Sequence, residues 1–151
     1  AHRMEQLGEI DGVRFVNDSK ATNAQAAEQA LKAYSKVYWI AGGVPKAEGI
    51  GPLSPHFNRI AKAYLIGDAA EAFSRTLEGK APYELSGTLE QAVSDAYEDA
   101  RTSGEDNPIV LLSPACASFD QYKDFEARGE AFRHIVQDLG GNALVSVRES
   151  A

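Results

Sequence analysis

The sequence predicts an α/β, Rossmann-like fold: a mostly parallel sheet with an antiparallel edge hairpin and helices on both faces. Three observations carry that expectation. Apolar, β-prone runs alternate along the chain with segments of helical periodicity. The first two runs, Met4 to Ile10 and Val13 to Val16, are separated only by Asp11-Gly12, the mark of a two-residue hairpin turn. Ile109 to Leu112 is apolar at every position, as a parallel strand covered on both faces must be.

Each further element has its own signal. Thr22 with Gln25 three residues on has capping-box spacing, so it opens a helix with mainly alanine apolar positions that ends near Leu31. Val37 to Ala41 is a strongly apolar strand running into Gly42-Gly43. Ser54-Pro55 reads as a helix cap followed by proline at the first helical position. Tyr64 to Ile66 is a short strand, Asp68 with Glu71 begins another helix, and Tyr83 to Leu85 is a brief strand. Thr88 with Gln91 opens a clearer helix, with Leu89, Ala92, Val93, Ala96, Tyr97 and Ala100 on one face. Ser118 with Gln121 repeats the capping spacing before a last helix whose buried stripe is Tyr122, Phe125, Phe132, Val136 and Leu139. Ala143 to Val147 forms a final strand or a tail. No repeat, low-complexity tract or linker interrupts this order, and residues 1–151 read as one domain.

Composition narrows the function. At 151 residues the chain is long enough for a real core, and 44% hydrophobic with 25% charged residues is ordinary for a soluble globular protein. No apolar run reaches membrane-spanning length and no signal peptide is visible, so no membrane role is expected. A lone cysteine, Cys116, excludes an internal disulfide and suits a reducing compartment, the cytoplasm by default. Fifteen basic against twenty-two acidic residues, net −7, argue against a nucleic-acid backbone as partner. An acidic domain that binds an anion must gather its cations locally, which gives weight to lysines in small-residue loops.

Three such loops follow strands and precede helical patterns, where open α/β sheets collect ligands. The first is Asn17-Asp18-Ser19-Lys20-Ala21-Thr22-Asn23. Asp18 and Ser19 suit a turn and Thr22 a helix cap; equally, Lys20 would face an anion shared with the helix N-terminus. The second is Gly42-Gly43-Val44-Pro45-Lys46, in which the glycines relieve crowding and Lys46 is either a solvated surface residue or a ligand cation. The third, Ser113-Pro114-Ala115-Cys116-Ala117-Ser118-Phe119-Asp120-Gln121, is small and apolar enough to bring backbone N–H groups near Ser118 and Phe119 against a carboxylate. Cys116 has no base arranged for it and reads as buried packing. His56 and His134 read as helix-surface residues, and no metal site is suggested. No Walker A pattern, G-x-x-x-x-G-K-[ST], occurs anywhere, so the main device for holding ATP phosphates is missing from these residues. The ligand these loops imply is small and anionic.

These stretches, with His2-Arg3-Met4-Glu5 ahead of them and Lys123, Phe125, Glu126, Arg128 and Gly129 after them, resemble the C-terminal domain of the Mur ligases from His2 to about Gly140. Asp-Ser-Lys-Ala-Thr-Asn and Ser-Pro-Ala-Cys-Ala-Ser are the specific motifs and point to the D-glutamate-adding branch. Sister ligases and folylpolyglutamate synthetases have a histidine- or asparagine-containing motif in the first place instead. The resemblance implies an ATP-dependent carbon–nitrogen ligase of peptidoglycan precursor synthesis. In that reaction ATP phosphorylates the carboxylate of UDP-N-acetylmuramoyl-L-alanine, the amine of D-glutamate attacks the acyl phosphate, and phosphate leaves. It implies three domains in the whole enzyme, of which the UDP-binding and central P-loop ATPase domains lie outside this chain. ATP and Mg would be bound mainly by the central domain, and a monomer is expected.

Carried over position by position, Thr22, Lys46, Ser118 and Phe119 fall where D-glutamate is held, with Phe125 beside them. His2, Arg3 and Asp18 fall at the nucleotide. Ser19 and Lys20 lie between both sites, Ser19 assigned to the nucleotide and Lys20 as the catalytic cation. The chain departs from the family pattern at Pro45, where an acidic residue often precedes the lysine, and at Glu48-Gly49-Ile50, where an Asp-Phe often follows. Two other readings stay open on the residues alone: a free-standing small-anion binding or regulatory module, and a related ligase adding another acidic amino acid.

Overall fold

The computed structural model describes residues 1–140, so the expected strand or tail at Ala143 to Val147 lies outside the described residues. The hairpin forms as predicted, β1 (Glu5–Ile10) pairing antiparallel with β2 (Val13–Asn17). Asp11 and Gly12 both have positive φ, 51° and 81°, the turn that matches the twist of two joined strands. Then follow α1 (Ala24–Ala33), β3 (Val37–Gly42), the two-residue β4 (Val44–Pro45), a 3₁₀ helix (Gly51–Arg59), β5 (Ile60–Ile66), α2 (Ala70–Leu77), β6 (Tyr83–Gly87), α3 (Leu89–Arg101), β7 (Ile109–Leu112), the two-residue β8 (Cys116–Ala117) and α4 (Phe125–Gly140).

Strand order in the main sheet is β1-β2-β7-β3-β5-β6, and every pair except the hairpin is parallel. Side chains alternate across each strand. Val37, Trp39 and Ala41 of β3 join Leu31, Leu53, Phe57, Leu65 and Phe73 under α1, the 3₁₀ helix and α2. Tyr38 and Ile40 join Phe15, Tyr64, Val93, Leu112 and Phe132 under α3 and α4. Helices therefore cover both faces. The chain runs outward from β2 through β3 and β5 to β6, and then returns to place β7 between β2 and β3. Their carboxyl ends meet at the point where direction reverses, which is where open sheets of this kind bind ligands.

Element identities follow the sequence, whereas several caps do not. The α1 cap is Asn23, whose Oδ1 accepts from the Ala26 N–H at 2.8 Å, rather than Thr22. That register buries Ala24, Ala27, Ala30 and Leu31 as one stripe and leaves Thr22 before the helix. The helix expected at Ser54-Pro55 starts instead at Gly51 and is 3₁₀, because Pro52 and Pro55 each remove a donor that an α-helical ladder needs. α2 begins at Ala70 without a side-chain cap; the Asp68 N–H donates to Asp120 Oδ2 at 3.0 Å instead. Thr88 caps α3 as expected, accepting from the Gln91 N–H at 3.2 Å. Ser118 and Gln121 form a turn, the Ser118 carbonyl accepting from the N–H groups of Gln121 and Tyr122. α4 starts later, where Asp124 Oδ1 accepts from the Ala127 N–H at 2.7 Å. Phe132 and Val136 are buried on α4 as expected, whereas Leu139, in its last turn, is exposed and Tyr122 lies before the helix. Among the described residues no helix is long and apolar enough to cross a membrane.

Candidate functional site

The three predicted loops converge at the carboxyl ends of β2, β3 and β7. Two of them are stitched together by the β4–β8 pair, with Val44 opposite Ala117 and Pro45 opposite Cys116. Gly42 and Gly43 are required by that closeness. A Cβ on Gly42 would lie 2.0 Å from the Ile66 carbonyl oxygen, and one on Gly43 would lie 2.3 Å from that of Ala117. The third loop is tied to the first by the Ala115 N–H, which donates to the Ala21 carbonyl at 2.9 Å. Ala115 itself is buried with φ 58°, a strained conformation of the kind that persists where surrounding structure enforces it.

The amino-terminal residues are ordered by this site rather than trailing from it. His2 is buried against Gly129, where an added Cβ would sit 2.1 Å from its Nδ1. Asn17 Nδ2 donates to that Nδ1 at 2.9 Å, and the His2 ring meets Phe125 edge-on with centroids 6.3 Å apart. The Lys20 N–H donates to the His2 carbonyl at 2.9 Å, and the Met4 N–H to Asp18 Oδ1 at 3.0 Å. Arg3 lies between these two anchors, exposed, with left-handed backbone at both neighbours (φ 65° at His2, 45° at Met4). Arg3, Asp18, Lys20, Thr22 and Asn23 line one cavity of about 230 Å³.

Asp18 is buried and both its oxygens have protein donors, Oδ2 accepting from the Ser113 hydroxyl at 2.7 Å. Burial pushes its carboxyl up to about 6; the hydrogen bonds from Ser113 and Met4 and the nearby Arg3 charge pull the other way and lose. Ser19 is buried as well. Its hydroxyl donates to the Phe125 carbonyl at 2.7 Å and accepts from Arg128 Nε at 2.9 Å. Lys20 and Lys46 are exposed, and no side-chain hydrogen bond of either, or of Thr22, forms among the described residues. Phe119 stands out at 72% exposure, and Phe125 is half-buried. Cys116 is buried and its thiol is pushed up to about 12 by desolvation, so it is packing and no nucleophile. Among the described residues no group of three or more His, Cys, Asp or Glu is placed to hold a metal ion.

Two buried polar atoms at the rim have no partner among the described residues: Ser118 Oγ and Arg128 Nη1. The separate loops give no reason to single out Arg128 as a site residue, yet it reaches two of them. A signal is present in the sequence, since it occupies an inward position of α4 between Phe125 and Phe132. Asn17 and Ser113 flank their loops in the sequence, and only the fold shows that they orient His2 and Asp18.

Comparisons with known proteins identify the family. Residues 2–116 match the family described as Mur ligase, glutamate ligase domain. The UDP-N-acetylmuramoylalanine--D-glutamate ligase of Caulobacter vibrioides is 68% identical over 97% of this chain and 31% of its own length. Proteins of the same name from Nitrobacter hamburgensis and Rhodospirillum rubrum are 60% and 59% identical, over 93% and 91% of this chain and 30% and 29% of their lengths. The chain thus spans less than a third of these relatives. It belongs to the Mur ligase family, as a glutamate ligase domain.

Proposed function

We propose that this chain is the amino-acid-binding domain of an ATP-dependent ligase that joins D-glutamate to UDP-N-acetylmuramoyl-L-alanine through an acyl phosphate, in cytoplasmic peptidoglycan precursor synthesis. The observation that carries the reading is the rim itself. Lys20 and Lys46, cations unengaged among the described residues, and the Ser118 hydroxyl, unpartnered among them, converge around strand ends in a domain of net charge −7. Such a rim suits a small dicarboxylate, and D-glutamate is the amino acid named by its relatives. Lys46 would pair one carboxylate, Ser118 and the backbone at Phe119 the other, with Thr22 orienting the amino acid and Phe125 beside it.

The cavity at Arg3 and Lys20 supports a partial nucleotide site. At about 230 Å³ it falls below the size of pockets that enclose a whole ligand, and its cations suit phosphate charge. His2, Asp18 and Ser19 serve it by fixing the segment that carries Arg3 and Lys20. Lys20, between the two sites, would neutralise charge on the phosphoryl group as the amine attacks. In this reading Mg and most of the ATP contacts belong to a P-loop domain outside the chain, as does UDP binding, and the ligase works as a monomer. The test uses the full-length protein carrying this chain. Phosphate release should require ATP, UDP-N-acetylmuramoyl-L-alanine and D-glutamate together; equal use of L-glutamate, or release without the amino acid, would overturn the reading.

A further inference from the structure

α4 buries a guanidinium among aromatic and small side chains. Arg128 is 1% exposed, and among the described residues no carboxylate lies within salt-bridge distance of it. Its Nε donates to Ser19 Oγ at 2.9 Å and its Nη2 to the Ser19 carbonyl at 2.8 Å, both neutral acceptors. Among the described residues Nη1 has no partner, and it faces Gly43, where an added Cβ would lie 3.3 Å away. The titratable groups facing it are Cys116, a neutral thiol at physiological pH, Tyr122, and Asp120, whose Oδ2 already accepts from the Asp68 N–H. Burial lowers the guanidinium to about 10, which leaves it cationic at neutral pH.

An unpaired buried cation is costly to a fold, and a methionine or leucine would fill the same stripe without that penalty. Arg128 has instead two consequences that an apolar residue would lack. It ties α4 to the Ser19–Lys20 turn, and it brings a positive charge with no salt-bridge partner among the described residues, offset only in part by Asp120, beneath the junction of the Gly43 loop with β8. Low-dielectric surroundings extend that charge's reach to the rim far better than water would.

We propose that Arg128 is the positioning residue of the amino-acid site, holding the Ser19–Lys20 turn in place and giving the rim the positive potential that admits an amino acid with two carboxylates, without touching it. This rests on the ligase reading and deepens it. The test compares Arg128→Met, Arg128→Lys and Ser19→Ala in the full-length protein by steady-state kinetics and thermal melts. Arg128→Met should raise the KM for D-glutamate at least tenfold and the KM for ATP by a clearly smaller factor, since the Ser19–Lys20 turn also borders the Arg3 cavity. Arg128→Lys, which keeps the charge but loses the fork, should recover part of that loss. Ser19→Ala keeps the buried guanidinium and should raise the D-glutamate KM severalfold, which keeps the idea testable if Arg128→Met does not fold. A D-glutamate KM within twofold of the parent in Arg128→Met, or in Ser19→Ala where the former is unfolded, overturns the proposal. So does a rise for ATP as large as that for D-glutamate in Arg128→Met. A parent without D-glutamate-dependent turnover refutes the ligase reading itself, whereas an active parent with an indifferent Arg128→Met refutes this inference alone.

Discussion

Replacing Asp18 by asparagine should make the domain more stable at neutral pH. Asp18 is buried, and its carboxyl titrates at about 6 in the folded chain against 3.8 when solvated. The folded state therefore holds a proton that the unfolded state has released across the interval from about 4 to about 6. By linkage, the contribution of this group to stability falls as pH rises through that interval and stays at its low plateau above it. A rise of that size corresponds to about 3 kcal/mol, the cost at neutral pH of keeping an ionised carboxylate under Ser113 and Met4. Asparagine retains an acceptor for the Met4 N–H and has no charge to desolvate, so Asp18→Asn should recover much of that cost. For a domain of this size the gain reads as several degrees in melting temperature. The measurement is a pair of melts, parent and variant, at about pH 7.5 and about pH 4.5, either side of the folded-state titration. The difference should be large at the higher pH and fall to about a third of that at the lower, which still lies above the unfolded-state value. A variant that is equally or less stable at the higher pH, or a difference independent of pH, would show that hydrogen bonding rather than desolvation governs Asp18.

Other expectations follow from the rim and its surroundings. In the full-length protein, Lys46→Ala should raise the D-glutamate requirement tenfold to a hundredfold and spare ATP, from roughly 1.5–3 kcal/mol for a charge-assisted hydrogen bond; Ser118→Ala should do so more mildly and Lys80→Ala not at all. A Lys46→Ala D-glutamate KM within twofold of the parent would remove that loop from the amino-acid site. The isolated chain, lacking a Walker A loop, should form no amide and hydrolyse no ATP in a phosphate-release assay. Cys116, buried with its thiol pushed up to about 12, should react with a soluble maleimide only on unfolding; rapid labelling of the folded chain would contradict the packing role.

Local signals serve well wherever one short stretch determines one feature. Asp11-Gly12 specifies its hairpin because two adjacent positive φ values are needed and these residue types tolerate them. Thr88 caps α3, accepting from the Gln91 N–H, while the nearby Ser86 hydroxyl is taken by Asp95. The errors arise where two local solutions are available and tertiary packing selects between them. Thr22 and Asn23 are both good caps, and the choice falls to Asn23 because that register turns three alanines and Leu31 onto β3 and its neighbours. Ser118 has the cap spacing but is held at β8, opposite the Gly43 loop, so α4 waits for Asp124.

The same division applies to the site. Lys20, Lys46 and Ser118 can be picked out from their loops because each sits among small residues after a strand. What fixes those loops comes from far along the chain: Arg128 meets Ser19 across 109 residues, and Ser113 meets Asp18 across 95. No spacing rule connects such pairs, since the sheet order that places β7 between β2 and β3 is what brings them together. A rim of exposed cations is therefore legible as sequence, whereas the buried groups that hold its shape and charge become visible only once strand order is known. That asymmetry has a physical source. A ligand cation needs only a loop that exposes it, whereas a buried guanidinium without a counter-ion is tolerable only where several elements enclose it together.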